Sequence, residues 1–242
     1  MQFGYDPTKP VLKGTSFTLR EGRSTALVGL NGAGKSTIVK LLAGFYEPDA
    51  GTISIGGVPL AGPELDAWQR RVTVVFQDFI RYELTVRENV AMPASEHVDD
   101  DEGIVDVLRS VGLDEFVDRL DTTISRSVEN GLELSGGQWQ RLALARSLFA
   151  MRHGASILVL DEPTAQLDAR GEADFFDSFI ELTKDITTLV ISHRFSSVRR
   201  ADEILVLEHG VISERGTHRE LVYGDGEYAR LFRVQAERFR IS

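Results

Sequence analysis

Gly29-Leu30-Asn31-Gly32-Ala33-Gly34-Lys35-Ser36-Thr37 follows the spacing G-x-x-x-x-G-K-[ST]. Glycines at 29, 32 and 34 let the backbone turn its N–H groups around an anion. Lys35 adds a full positive charge, and the hydroxyl of Ser36 can hold a divalent cation. A second segment, Leu134-Ser135-Gly136-Gly137-Gln138, sets a hydroxyl and two glycines at the head of a helical pattern, where free N–H groups and the helix dipole also favour an anion. A third, Ile157-Leu158-Val159-Leu160-Asp161-Glu162, is an apolar run that ends in two carboxylates. The chemistry these types and spacings allow is that of a nucleotide phosphate.

Such groups work only if regular elements hold them. Thr25-Ala26-Leu27-Val28 reads as a strand before the glycine loop and Ile38-Val39-Lys40-Leu41-Leu42-Ala43 as the helix after it. Residues 1 to about 77 alternate short strands with turns, with Gly51-Thr52-Ile53-Ser54-Ile55-Gly56-Gly57 as a strand ending in a turn. From about 78 to 150 the pattern is helical. From about 155 strands and helices alternate again, through Glu203-Ile204-Leu205-Val206-Leu207 and a hairpin at His209-Gly210. Strands interleaved with helices imply a mainly parallel sheet covered on both faces, with the helical stretch inserted between two halves of the core.

Composition narrows the classes. The 242 residues, 42% hydrophobic, can bury a sizeable core. No run approaches the roughly 18–20 apolar residues that span a bilayer, so direct membrane insertion is not expected and this stretch should be soluble. No secretory leader is evident, and the absence of cysteine removes disulfides and cysteine-based metal sites. A net charge of −10 without a basic cluster argues against nucleic acid as partner. Asp99-Asp100-Asp101-Glu102 precedes the helical pattern Ile104-Val105-Val107-Leu108-Val111 and reads as its cap. The histidines at 97, 153, 193, 209 and 218 show no metal-ligand spacing.

With Leu134-Ser135-Gly136-Gly137-Gln138 as its signature, the chain resembles the ATP-binding cassette (ABC) family. The likeness extends in order through Gln77 after Val72-Thr73-Val74-Val75-Phe76, Asp161-Glu162, Asp168, and His193 after Thr188-Leu189-Val190-Ile191-Ser192. It implies an α/β fold: a RecA-like P-loop NTPase core of mainly parallel sheet, an N-terminal antiparallel β subdomain and an inserted α-helical subdomain. The expected division is a core of residues 1–77 and 151–242 with the helical part at about 78–150. It also implies ATP and Mg²⁺ as ligands. Asn31, Gly32, Ala33, Gly34, Lys35, Ser36 and Thr37 would bind ATP, with Tyr5 stacked on adenine. Ser36, Gln77 and Asp161 would serve the metal, and Glu162 would be the general base. Gln77 would sense metal and water, and Lys35 and His193 would act on the γ-phosphate. In the family two cassettes close head to tail, so Ser135, Gly136, Gly137 and Gln138 would reach the partner's nucleotide and Asp168 would lie at the dimer contact. Thr164-Ala165-Gln166-Leu167-Asp168 departs from the family in carrying Gln166 where a small residue is more common.

Val128-Glu129-Asn130-Gly131, Gly216-Thr217-His218-Arg219-Glu220-Leu221 and Gly226-Glu227-Tyr228-Ala229-Arg230-Leu231 resemble the exporter branch. The stretch 79–90 resembles the groove where coupling helices dock, in a form similar to bacterial peptide or lantibiotic exporters. Only Met1-Gln2-Phe3 precede Gly4-Tyr5, shorter than the family's usual strand, which implies a cassette cut from a longer polypeptide. The expected partners are a second cassette and an N-terminally fused transmembrane domain, at the cytoplasmic face of a bacterial plasma membrane. The alternatives are a non-transport ATPase such as a cluster-assembly component, an importer subunit, and a regulatory cassette that binds nucleotide without turnover.

Overall fold

The computed structural model describes residues 1–60, 62, 64–163, 183–192 and 198–240. Strands β1 (Gln2–Phe3) and β2 (Leu12–Lys13) pair antiparallel. β3 (Ser24–Val28) has no polar alternation and is buried along Thr25–Val28, as expected of a strand covered on both faces. It runs through the glycine loop into helix α1 (Lys35–Leu42). β4 (Ser54–Ile55) and β5 (Val58–Pro59) form a small hairpin about Gly56 and Gly57, so the expected strand over 51–57 is confined to two residues. α2 (Glu64–Arg71) was not legible as a helix: Trp68 is its only buried residue, so its sequence carries no apolar period. The Trp68 indole N–H donates to Leu42 O at 2.5 Å and fixes α2 to the end of α1.

β6 (Val72–Val75) leads into the helical region, made of α3 (Val86–Ala91), a 3-10 segment at Met92–His97, α4 (Asp101–Ser110) and α5 (Gly136–Arg152). The chain returns to the sheet with β7 (Ile157–Asp161), β8 (Thr187–Ile191), β9 (Glu203–Glu208) and β10 (Val211–Gly216), then ends in α6 (His218–Val222) and α7 (Glu227–Arg240). The strand order is β10-β9-β3-β8-β7-β6, parallel throughout except for the β9–β10 hairpin. His209 and Gly210 both have positive φ, as a tight two-residue hairpin loop requires.

Alternate residues of one strand face opposite ways, which sorts the core. Leu27, Val159, Leu189, Ile191, Leu205 and Leu207 pack with Ile38 and Leu41 of α1 and with Trp68. Leu158, Leu160 and Val190 turn to the other face and join Leu142, Ala145 and Phe149 of α5. Ala26, Val28, Ile204 and Val206 extend that second face under Tyr228 of α7. The sheet therefore stands between α1 and α5. The helical region is welded to it, each fully buried Leu contributing about 1.5–3 kcal/mol.

Helix starts show a contrast. Thr85, Ser135 and Thr217 each form a reciprocal capping box, with Glu88, Gln138 and Glu220 respectively, and Asp100 accepts from Gly103 N–H to cap α4. The acidic run 99–102 thus caps its helix as expected. α1 begins on Gly34 with no side-chain cap at all.

Candidate functional site

The carboxyl ends of adjacent parallel strands carry the candidate groups side by side. Gly29 follows β3, Asp161 closes β7 with Glu162 directly after it, and Gln77 lies two residues past β6. Crevices outside the carboxyl ends of such strands are where open α/β sheets bind ligands. Asp168 and His193 lie outside the described residues, as does the segment 164–167 with Gln166.

The loop after β3 is built by its own geometry. Gly29 has φ 151° and a Cβ there would stand 2.3 Å from Leu207 O, so only glycine lets the loop leave the sheet. Gly34 has φ 109°, and a Cβ would meet Leu12 Cδ2 at 2.8 Å. Lys35 is buried, and its ammonium donates to Gly29 O at 2.9 Å and Leu30 O at 3.1 Å, curling the loop over its own side chain. Burial holds the Lys35 pKa below its ordinary value, against the opposing pull of Glu162 and Asp161.

Ser36, one residue on, faces the Asp161 carboxylate and favours its charged form. Asp161 is 7% exposed, and burial raises its pKa; Ser36 and the charge of Lys35 work the other way and the neighbouring Glu162 adds to the rise. A hydroxyl, an ammonium and two carboxyl groups thus meet at the mouth of α1. The N–H groups of the first turn of α1 meet them without a side-chain cap. Glu162 has φ 49°, a left-handed conformation uncommon for glutamate, and its N–H donates to Ile191 O at 2.9 Å. That bond ties the strand exit of β7 to that of β8.

Tyr5, 52% exposed, stands beside α1: its hydroxyl lies 3.4 Å from Thr37 Oγ1 and Lys40 Nζ sits 5.3 Å from its ring centroid. Phe3 and Tyr46 both meet the ring edge-on, with centroids 5.2 and 5.5 Å away. Gln77 is exposed, and Phe76 before it stacks on Phe45 just beyond α1. Asn31, Gly32 and Ala33 form the turn of the loop, closed by Ala33 N–H to Leu30 O at 3.2 Å.

The signature residues are elsewhere. Ser135 is exposed at the start of α5, with Gly136 and Gly137 in its first turn. The Gln138 carboxamide is engaged within the chain, accepting from Ser135 N–H at 2.8 Å and donating to Glu115 at 2.9 Å. Among the described residues no hydrogen bond or ion pair joins 134–138 to the glycine loop, and the two helices that carry them lie on opposite sheet faces.

A profile of the ABC transporter family matches residues 12–165. The chain belongs to the ABC transporter family. It corresponds to that family's ATP-binding domain. Its sequence is 38% identical over 227 residues to the nisin transport ATP-binding protein NisT of Lactococcus lactis subsp. lactis, covering 91% of this chain and 37% of NisT. It is 40% identical over 236 residues to an ATP-dependent lipid A-core flippase of Saccharophagus degradans, covering 97% of this chain and 39% of the flippase. It is 44% identical over 244 residues to ABC transporter B family member 28 of Arabidopsis thaliana, covering 97% of this chain and 33% of that protein. A solved structure of a bacterial Atm1-family ABC exporter with ATP bound superposes with a TM-score of 0.84 at 34% identity, over 97% of this chain and 41% of that one. The chain spans between a third and about two fifths of the length of these proteins. Among the described residues of this ABC transporter domain, no helix is long and apolar enough to cross a membrane.

One set of contacts in the domain has no counterpart among the sequence motifs. Asn89 is fully buried on α3, and Arg146 of α5 reaches it and the irregular segment after Gln77. The available signal was an asparagine at a core position of a short amphipathic helix, which demands a partner for its amide.

Proposed function

We propose that this domain binds Mg²⁺–ATP and hydrolyses it to power export through membrane-spanning segments, working as a pair of cassettes at the cytoplasmic face of a membrane. The observation that carries the reading is the mouth of α1: uncapped N–H groups, the Lys35 ammonium and the Ser36–Asp161 pair converge there, while four other helices spend a side chain on the same position. These donors fit a polyphosphate. Ser36 and Asp161, with Gln77 on the neighbouring strand exit, would hold a magnesium ion beside phosphate and water. Bound there, Mg²⁺ neutralises developing charge on the phosphates.

The chain's own groups then divide the work. The loop from Asn31 to Gly34 and the first turn through Thr37 cradle the phosphates, Lys35 adds charge, and Tyr5 offers an aromatic face to the base. Asp161 and the Ser36 hydroxyl would together hold the metal. Glu162 takes the proton of the attacking water, with Gln77 positioning that water from the neighbouring strand and His193 contacting the γ-phosphate. The left-handed backbone at Glu162 is strain of the kind that pre-organised sites retain.

Ser135, Gly136, Gly137 and Gln138 serve the nucleotide of a second cassette, with Asp168 at the contact between the two. The placement of α1 and α5 on opposite sheet faces supports this division. In the same reading the segment 78–150 is a helical subdomain inserted into a core of 1–77 and 151–242. The relatives named as transporters and flippases, each longer than this chain, support an exporter role with membrane-spanning segments on the same polypeptide.

Complementation tests the shared site. Lys35→Ala and Ser135→Arg chains should each be inactive in phosphate release from ATP. Mixed, they should regain turnover, because one of the two sites of a mixed pair keeps an intact loop and an intact signature. No recovery on mixing, together with wild-type turnover that is unchanged on dilution, would refute the paired arrangement.

A further inference from the structure

The sequence holds three asparagines, and two of them precede glycine: Asn31-Gly32 in the glycine loop and Asn130-Gly131 ahead of the signature. Asparagine before glycine can close on itself, because no Cβ shields the next backbone nitrogen from the side-chain carbonyl carbon. The fold treats the two pairs differently. Gly131 N–H donates to Val128 O at 3.0 Å, and a Cβ at Gly131 would overlap Ser125 O, so that nitrogen is engaged and the space around it is filled. Leu132 N–H, the next along, is held by Thr123 O at 2.8 Å. Asn31 and Gly32 are exposed, and among the described residues neither the Asn31 side chain nor the Gly32 N–H has a hydrogen-bond partner. A Cβ at Gly32 would meet nothing within 4 Å.

Charge favours ring closure at the same place. The attacking species is the deprotonated backbone nitrogen and the intermediate is an oxyanion, so positive potential stabilises both. Lys35 and the uncapped N–H groups at the mouth of α1 supply it within a few residues of Asn31. We propose that Asn31 is a site of spontaneous deamidation, by which the nucleotide-free loop converts itself into one that rejects phosphate. The Gly32 nitrogen bonds to Asn31 Cγ, the Cγ–Nδ2 bond breaks, and ammonia leaves with the proton that the Gly32 nitrogen gave up. Water then opens the cyclic imide at either carbonyl, leaving aspartate or isoaspartate, and nothing is oxidised or reduced. Either product puts a carboxylate into the turn of an anion cradle, and isoaspartate also lengthens the backbone there by a methylene, so both oppose a polyphosphate. A triphosphate seated on the loop would hold the turn and neutralise the potential, protecting the site from its own chemistry. That protection rests on the ATP-binding reading above; the modification itself does not.

The test holds the whole chain at pH 8 and 37 °C without nucleotide, beside a synthetic peptide of residues 28–33, and follows the tryptic peptides that carry Asn31 and Asn130 by mass and isoaspartate content. Site 31 should convert within tenfold of the free peptide and at least tenfold faster than site 130; a slower rate on either count overturns the proposal. A non-hydrolysable ATP analogue with Mg²⁺ should slow site 31 at least fivefold, and an unchanged rate with the analogue shown bound by titration would overturn the protection. Should the analogue not bind at all, the ATP-binding reading fails and the nucleotide-free rates decide the modification alone. Asn31→Asp, the product made directly, should bind the analogue at least tenfold more weakly than the wild type with its circular dichroism unchanged, and equal affinity would overturn the rejection of phosphate.

Discussion

Replacing Asp161 with asparagine should make the nucleotide-free protein more stable while abolishing magnesium-dependent turnover. The carboxylate is 7% exposed at the end of β7, and burial is the largest influence on its pKa, which lies above the ordinary 3.8 despite Ser36 and Lys35. A carboxyl with a raised folded pKa binds protons more readily in the folded than in the unfolded state. Its contribution to stability is therefore fully present below pH 3.8 and is lost as pH rises through the raised value. At neutral pH the wild type carries that loss, and every tenfold weakening of the acid corresponds to about 1.4 kcal/mol. An amide of the same shape keeps an acceptor for Ser36 and removes the buried charge, a gain of about 1 kcal/mol after allowance for the weaker counter-charge to Lys35. In a chain of this size that moves the melting midpoint by about 2–4 °C. Calorimetry at pH 8 in the absence of nucleotide reads it directly, and the gap between variant and wild type should narrow as pH is lowered towards 3.8. A variant that melts below the wild type at pH 8, or a gap that widens on acidification, would refute the reasoning.

Two further outcomes follow from the site. Glu162→Gln should retain ATP binding and lose about 10²–10⁴-fold in kcat, the range of a removed general base; phosphate release at saturating ATP measures it, and undiminished turnover would reassign the base. Gly34→Ala must accept φ 109° and a methyl 2.8 Å from Leu12, so it should cost about 1–3 kcal/mol in chemical denaturation as well as nucleotide affinity, and a fully stable variant would contradict the described loop.

The sequence exposed those features that depend on local spacing. The apolar run before Gly29, the carboxylates that end β7 and the two-residue turn at His209-Gly210 each follow from a short pattern, and the strand–loop–helix context made the glycine loop recognisable. α2 escaped because it has one anchor, Trp68, whose partner is a carbonyl on another helix. The Asn89–Arg146 grip escaped for a related reason: its residues are 57 apart, and hydrogen bonds between a side chain and an irregular backbone leave no periodic trace. The engagement of Gln138 with Glu115 likewise joins α5 to a 3-10 turn at Asp114–Phe116, 23 residues earlier in the chain.

The order of the strands has one more implication. β3, which leads into the glycine loop, is flanked on both sides by parallel neighbours, whereas β6, which leads to Gln77, has among the described residues a neighbour on one side only. The candidate site is therefore held by strands on both sides of one flank and by a single strand pairing on the other. In the proposed ATPase such an asymmetry would let fuel be retained by a stationary cradle while timing is left to the rim, so that occupancy and firing could be governed separately.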